Sequence, residues 1–199
     1  MVPQIDLINR LHDKYLIECR GYAADFHKFG TLDSANAFTY LQWLSCCDEW
    51  NVKSEFCLYL DGLVSTDDLD AARALCFYMC EVGNFNYIEN ATKLFFKIHR
   101  VLCDNNFKVS CRQWAKLLYL GQQLNSINGS KDLHYKLSEC TAVAINDLYD
   151  VSLDRFFSNF SSDDSVERLS DEFHFSDQCL MLEALAMDAS RCCDENLWN

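Results

Sequence analysis

Apolar residues recur at every third or fourth position along most of the chain, which is the spacing of one face of an α-helix. The clearest example is residues 88–102, where Ile88 and Leu102 lie on one face and Lys93 and Lys97 lie on the opposite face. The same spacing predicts further helices over residues 5–22, 34–47, 56–63, 69–79, 110–121, 132–148, 151–160 and 176–193. The pattern therefore predicts an all-α protein, a single compact domain of about eight helices.

Some of the predicted helices have sequence signals at their first residues. Ser65 to Asp68 has the spacing of a capping box, and Ser110 with Gln113 forms a second one. Residues 125–130 are rich in Asn, Ser and Gly, which is typical of a loop. These signals predict that one helix begins just after Ser65 and another just after Ser110.

The composition favours a folded helical domain. Half of the 199 residues are hydrophobic, so the chain can bury a sizeable core, and one proline with six glycines is few for the turns of an all-β protein. No glycine-rich motif of the P-loop or dinucleotide-binding type is present. We expect a helical core domain over 1–160, an acidic loop or linker over 161–175, and a C-terminal helix over 176–199 that packs on the core.

Twelve cysteines raise the question of the redox compartment. The first residues include Asp6 and lack the basic segment and apolar run of a secretory signal, and no stretch has the roughly 18 apolar residues of a membrane span. Several cysteines fall inside helical patterns, as Cys46 and Cys47 do. We therefore expect reduced, mostly buried thiols in a cytoplasmic or nuclear protein that does not enter a membrane.

Charge is unevenly distributed along the chain. The formal net charge is −13 and the pI is about 4.6, which on average disfavours binding to nucleic acid and to anionic membranes. Between residues 84 and 136, however, there are eight lysines and arginines and three acids, whereas residues 147–199 contain thirteen acids and three arginines. The middle of the chain is therefore basic, and its last quarter is strongly acidic.

Two consecutive predicted helices carry most cations of the basic middle. Three cations share one face of the first helix, and two cations and a tyrosine share a face of the next. We call this set the basic strip, and its residues are Lys93, Lys97, Arg100, Arg112, Lys116 and Tyr119. Phosphate contacts beside a stacking ring are what non-specific RNA binding requires. The strip could instead contact a protein, including the acidic last quarter of the same chain or of a second copy in a homo-oligomer.

Tryptophans and cysteines provide further candidate sites. Trp50 and Trp198 are candidate anchors for a protein partner, and packing into the core is the alternative for Trp198. The pair Cys76 and Cys80 and the pair His99 and Cys103 each have four-residue spacing, so each pair shares a helix face. Side by side, these four would form a Cys₃His zinc site, and ordinary core packing is the alternative. We expect no other cofactor.

No motif of the chain marks an enzyme. The sequence lacks the local patterns of serine hydrolases, zinc proteases and zinc deaminases, and its acid pairs lie at helix starts or in loops. We therefore expect a non-enzymatic intracellular binding or adaptor protein, such as a pathogen- or virus-encoded factor that sequesters a host component. The alternative is an RNA-binding protein of the type that suppresses RNA silencing, and the third hypothesis is an enzyme.

Overall fold

The computed structural model describes residues 33–46, 54–103, 108–157, 159–161 and 174–192, together with Lys14 and Ile17. Seven α-helices lie in this part of the chain: α1 (Ser34–Cys46), α2 (Ser54–Val64), α3 (Leu69–Val82), α4 (Ile88–Cys103), α5 (Cys111–Asn128), α6 (Lys131–Asn146) and α7 (Phe175–Cys192). The prediction of an all-α protein is confirmed. None of these helices combines the length and the apolar character needed to cross a membrane.

Four short strands accompany the helices in two antiparallel pairs. They are β1 (Lys108–Ser110), β2 (Tyr149–Asp150), β3 (Arg155–Phe156) and β4 (Asn159–Ser161). In the pair β1 and β4, Val109 lies opposite Phe160. In the pair β2 and β3, Tyr149 lies opposite Phe156, so β2, the turn 151–154 and β3 form a small hairpin.

The prediction of a helix over residues 151–160 is therefore wrong. The Asp150 carboxylate accepts hydrogen bonds from the backbone N–H of Ser152 at 2.9 Å and from its hydroxyl at 2.6 Å. Asp154 adopts a positive φ of 51°. Aspartate and serine side chains that bond to nearby backbone offer the chain an alternative to the helix, and here they form a turn.

The predicted helix starts are confirmed in one case and corrected in the other. At α5, Ser110 and Gln113 form the reciprocal bonds of a capping box. At α3, Asp68 alone is the N-cap, and its carboxylate accepts the N–H groups of Asp70 and Ala71 at 2.9 and 3.0 Å. Ser65 lies in the preceding turn instead of in the cap, because α3 begins one residue after Asp68.

The chain divides into two compact units, residues 1–87 and residues 88–199. In the first unit, α1 and α2 both pack against α3. The rings of Phe38 and Phe77 meet edge to face with centroids 5.7 Å apart, and the Arg73 guanidinium lies 4.3 Å from the Phe38 centroid. Leu41 and Leu75 are fully buried, so apolar packing around α3 holds this unit together.

The second unit is organised around α5, which contacts α4, α6 and α7. Trp114 of α5 is fully buried, and its indole N–H donates to the carbonyl of Cys140 in α6 at 3.0 Å. Gly121 lies where a Cβ would come within 2.7 Å of the Phe95 ring and 2.8 Å of Leu137. The glycine therefore permits α4 and α6 to approach α5 closely.

Candidate functional site

The structure places the cations of the basic strip in different environments. Lys93, Lys97 and Arg100 are all exposed on α4. The Lys93 ammonium lies 2.6 Å from the Glu89 carboxylate one turn earlier, and this contact lowers the pKa of Glu89. The α4 face is therefore cationic and solvent-exposed, with one acid beside it.

Arg112 binds the acidic last quarter of its own chain. Its Nε lies 2.8 Å from Oδ1 of Asp177 in α7, and its Nη2 donates to the Ser176 hydroxyl at 3.2 Å. About half of the Arg112 side chain is exposed, whereas only 10% of the Asp177 side chain is. This ion pair is the kind of contact expected if the basic strip binds the acidic last quarter of the same chain.

The other two α5 residues of the strip are less accessible. Lys116 is half-buried, and Tyr119 is buried with 6% of its surface exposed. A ring so covered is not available to stack on a nucleic-acid base in this conformation. The α4 cations therefore share an exposed face, while in the α5 part of the strip Tyr119 is buried, Lys116 is half-buried and Arg112 is bonded to Asp177.

The proposed zinc ligands lie in both units. Cys76 is fully buried and Cys80 is exposed in the first unit, whereas His99 is buried in the second, and the Cys103 side chain lies outside the described part. Within the described ranges, no group of three or more His, Cys, Asp or Glu side chains is placed to hold a metal ion. Trp50 and Trp198 lie outside the described residues.

His99 takes part in a polar contact between α4 and α6. Its Nε2 lies 3.3 Å from the Glu139 carboxylate, which also lies 2.9 Å from the Lys136 ammonium. Burial and the nearby Lys136 charge lower the pKa of His99, and Glu139 opposes that effect. The hydrogen bond to Lys136 lowers the pKa of Glu139, so the carboxylate is charged at neutral pH.

The buried thiols are poor nucleophiles. Burial raises the pKa of Cys57 to about 11. Burial, together with the Asp177 charge, raises that of Cys111 to about 12. The fully buried Cys76 also has a raised pKa. Because the thiolate is the reactive form, these three side chains are protonated and unreactive at neutral pH.

A surface with exposed apolar side chains lies on α7. Phe175, Cys179 and Leu182 are exposed and Ala186 is half-buried, and their spacing of four, three and four residues places them on one helix face. Phe175 is 72% exposed and Leu182 is 58% exposed. We call these four residues the α7 outer stripe.

The other side of α7 is buried. Met181 and Ala184 are fully buried on this side, where α7 packs against α5. Asp177 lies on the same side and bonds to Arg112. The helix therefore carries apolar residues on two faces, and α5 covers one of them.

The hairpin of residues 149–156 is attached to α7 and also presents apolar side chains. The Gln178 amide donates to the Phe156 carbonyl at 2.9 Å and accepts the Phe156 N–H at 2.7 Å. At the tip of the hairpin, Val151 is 83% exposed and Leu153 is 54% exposed. The Tyr149 hydroxyl donates to Asp154, which ties the two ends of the turn together.

The sequence contains a signal for the α7 outer stripe that its charged and aromatic clusters do not reveal. The segment from Phe175 to Met187 has apolar residues on more than one helical face. A helix of this type is either surrounded by its own protein or covered by a partner. Sequence periodicity identifies such a helix but does not say which of its faces the fold covers.

No protein-family model, curated protein or solved structure matches the chain.

Proposed function

We propose that this protein is a non-enzymatic binding or adaptor protein that holds a protein partner on the α7 outer stripe. The observation that carries the proposal is the exposure of Phe175 and Leu182 on an ordered helix whose opposite face is buried. Burying one such side chain stabilises a complex by about 1.5–3 kcal/mol. A partner that covers both side chains would bury apolar surface that remains exposed in the folded chain, and this burial would stabilise the complex.

The attachment of α7 to its unit supports the proposal. Arg112 holds Asp177 in the first turn, and Gln178 holds the 149–156 hairpin against the same part of the helix. A surface that is already fixed loses little conformational entropy when a partner binds. The stripe is therefore preorganised for binding.

The thiols are consistent with a binding role in a reducing compartment. Cys57, Cys76, Cys111 and Cys140 are buried as small hydrophobic side chains. A cytoplasmic or nuclear location would keep them reduced. In this setting the proposed adaptor would act by occupying its partner, and in a pathogen-encoded protein that partner would be a host component.

The proposal can be tested by site-specific photo-cross-linking in cells that express the protein. A photoreactive residue is placed at position 182 in the stripe or at Val101 of α4, which is 59% exposed and thus closely matches Leu182. We expect a discrete protein adduct from position 182 that is absent from position 101. The adduct from position 182 should disappear when Phe175 is changed to serine. Equal adducts from both positions, or none from either, would contradict the proposal.

The RNA-binding alternative is supported by the exposed α4 cations Lys93, Lys97 and Arg100. Its stacking ring, Tyr119, is buried, and Arg112 is bonded to Asp177. The geometry therefore supports a protein partner better than RNA. A titration with short single- and double-stranded RNA at low and physiological salt tests the alternative, with the three α4 cations changed to glutamate as the comparison.

A further inference from the structure

We infer that Asn128 is a modification site at which the chain deamidates spontaneously, through attack of the Gly129 backbone nitrogen on the Asn128 side-chain amide. Asn128 is the last residue of α5, and Gly129 connects that helix to Ser130, the N-cap of α6. All three residues are exposed, so water reaches the reacting groups. The site is separate from the α7 outer stripe, and the inference does not depend on the proposed binding function.

The attacking nitrogen is not held by the helix that precedes it. Gly129 has φ −67° and ψ 76°, close to an inverse γ-turn, and across this turn the Ser130 N–H donates to the Asn128 carbonyl at 2.8 Å. The Gly129 N–H itself makes no hydrogen bond to any residue that the structure describes. At the end of α6, in contrast, the Asp147 N–H donates to the Val143 carbonyl at 2.9 Å. Compared with that nitrogen, the nitrogen of Gly129 is free to react.

The side chain that is attacked is also accessible. The Asn128 amide makes no hydrogen bond within the described part of the chain, so it can rotate towards the main chain. The missing Cβ of Gly129 gives the backbone the freedom to bring its nitrogen to the Asn128 Cγ. A Cβ at position 129 would lie 3.0 Å from the Asn125 carbonyl oxygen and 3.1 Å from its Oδ1. A larger residue at this position would therefore restrict the movement that the reaction requires.

The reaction needs water and no other co-reactant. The Gly129 nitrogen passes its proton to a base in solution and forms a bond to Cγ of Asn128. The bond from Cγ to the amide nitrogen breaks, and ammonia leaves with a proton taken from water, so a five-membered succinimide remains. Water then opens this ring. Opening at Cγ gives aspartate, and opening at the main-chain carbonyl carbon gives isoaspartate. No group is oxidised or reduced, and a neutral amide is replaced by a carboxylate.

The products would alter the connection between α5 and α6. Both place a negative charge at position 128. Isoaspartate also lengthens the main chain by one methylene and converts the carbonyl that accepts the Ser130 N–H into a free carboxylate. Ser130 caps α6 by accepting the Leu133 N–H on its hydroxyl at 3.2 Å. We therefore expect amide hydrogen exchange at Leu133 to become faster in the modified protein.

Peptide mapping by mass spectrometry tests the inference on the folded full-length chain. The protein is incubated in mildly acidic and in mildly alkaline buffer, and the peptide that contains Asn128 is followed for a gain of about 1 Da. We expect both aspartate and isoaspartate at this position, formed faster in the alkaline buffer because the attacking nitrogen must lose its proton. Asn128→Gln keeps an exposed amide but requires a larger ring, so it should stop the reaction there.

A second asparagine at a helix end provides the matched control. Asn146 is the exposed last residue of α6, and like Asn128 it follows an isoleucine. Asp147→Gly gives Asn146 a glycine as its next residue, and the backbone bond from position 147 to Val143 is kept. In this folded variant we expect Asn146 to convert at least about fivefold more slowly than Asn128, the factor that one net hydrogen bond supplies. In urea, where both helices are unfolded, the two should convert at similar rates.

Three results would overturn the inference. The first is an Asn128 that stays intact in the folded protein and converts only in urea. The second is aspartate without isoaspartate, because direct hydrolysis of the side chain passes through no succinimide. The third is equal conversion of Asn128 and Asn146 in the folded Asp147→Gly variant, since the freedom of the Gly129 N–H would then have no influence. None of these results bears on the cross-link from position 182, which tests the binding function separately.

Discussion

The guanidinium of Arg112 lies 2.8 Å from the carboxylate of Asp177, and this ion pair joins α5 of the basic middle to α7 of the acidic last quarter. The two residues are 65 positions apart in the sequence. Asp177 is mostly buried and Arg112 is half-exposed. If the pair is broken, the buried carboxylate is therefore destabilised more than the guanidinium, which water can still solvate. The pair positions the helix on which the proposed binding surface lies.

Removing this guanidinium should destabilise the second unit. We expect Arg112→Ala to lower the free energy of unfolding by about 1–2 kcal/mol, because Asp177 is left in a mostly buried site without its charged partner. Solvent screening of the half-exposed guanidinium keeps the effect at the lower end of this range. Urea denaturation measures it. Arg100→Ala on the exposed face of α4 is the control and should change the stability by less than about 0.5 kcal/mol.

Two glycines in helices should respond in opposite ways to substitution by alanine. At Gly121 a Cβ would meet Phe95 at 2.7 Å and Leu137 at 2.8 Å, so Gly121→Ala should destabilise the protein by about 1–3 kcal/mol through overpacking. At Gly62 of α2 no atom lies within 4 Å of the added Cβ. There alanine should stabilise the protein by about 0.5–1 kcal/mol through its helix propensity.

Thermal and urea denaturation of both glycine variants measure the difference. A stabilised Gly121→Ala protein would show that α4 and α6 do not approach α5 as closely as the structure indicates. Gly62→Ala serves as the control for the general effect of alanine in a helix.

The burial of His99 predicts a loss of stability in mild acid. Burial lowers the pKa of His99 below its ordinary value of 6.5, so the unfolded chain binds the proton more readily than the folded chain. The stability is therefore complete above about pH 6.5 and falls as the pH decreases towards the lowered pKa of His99. The lowered pKa of Glu139 adds a separate loss at more acidic pH.

Urea denaturation between about pH 5 and pH 7.5 tests this dependence. We expect His99→Gln to flatten the slope in that window, whereas His134→Gln, at an exposed position on α6, should leave it unchanged. An unchanged slope in His99→Gln would mean that another group produces the acid sensitivity.

Gln178 should control the order of the 149–156 hairpin. Replacing it with alanine leaves both the N–H and the carbonyl of Phe156 without their amide partner, which should cost about 2 kcal/mol or more. Gln178→Glu keeps an acceptor for the N–H but places a second oxygen against the carbonyl, so its effect should also be destabilising. Hydrogen exchange should become faster at Phe156 in both variants, while exchange at Trp114 in α5 provides the reference. Unchanged protection at Phe156 would show that the hairpin is held by other contacts.

The helical architecture follows from the sequence for a local physical reason. Apolar residues at intervals of three and four positions bury one face only if the backbone is helical, and that relation needs no knowledge of distant residues. The capping box of Ser110 and Gln113 is also local, because both partners lie within one turn. The failure at residues 151–160 is local as well, since bonds from Asp150 to Ser152 compete with the helix.

The exposure of the candidate binding surfaces, in contrast, depended on the tertiary structure. Helical spacing groups Arg112, Lys116 and Tyr119 on one face, but α5 contacts three other helices in the described part of the chain, and Tyr119 is buried. On α7, the sequence shows apolar residues on two faces and does not distinguish them. Packing against α5 buries Met181 and leaves Leu182 exposed. Residues distant in the chain decide which face meets water, so the local sequence determined the seven described helices and only the fold decided which of their faces are exposed.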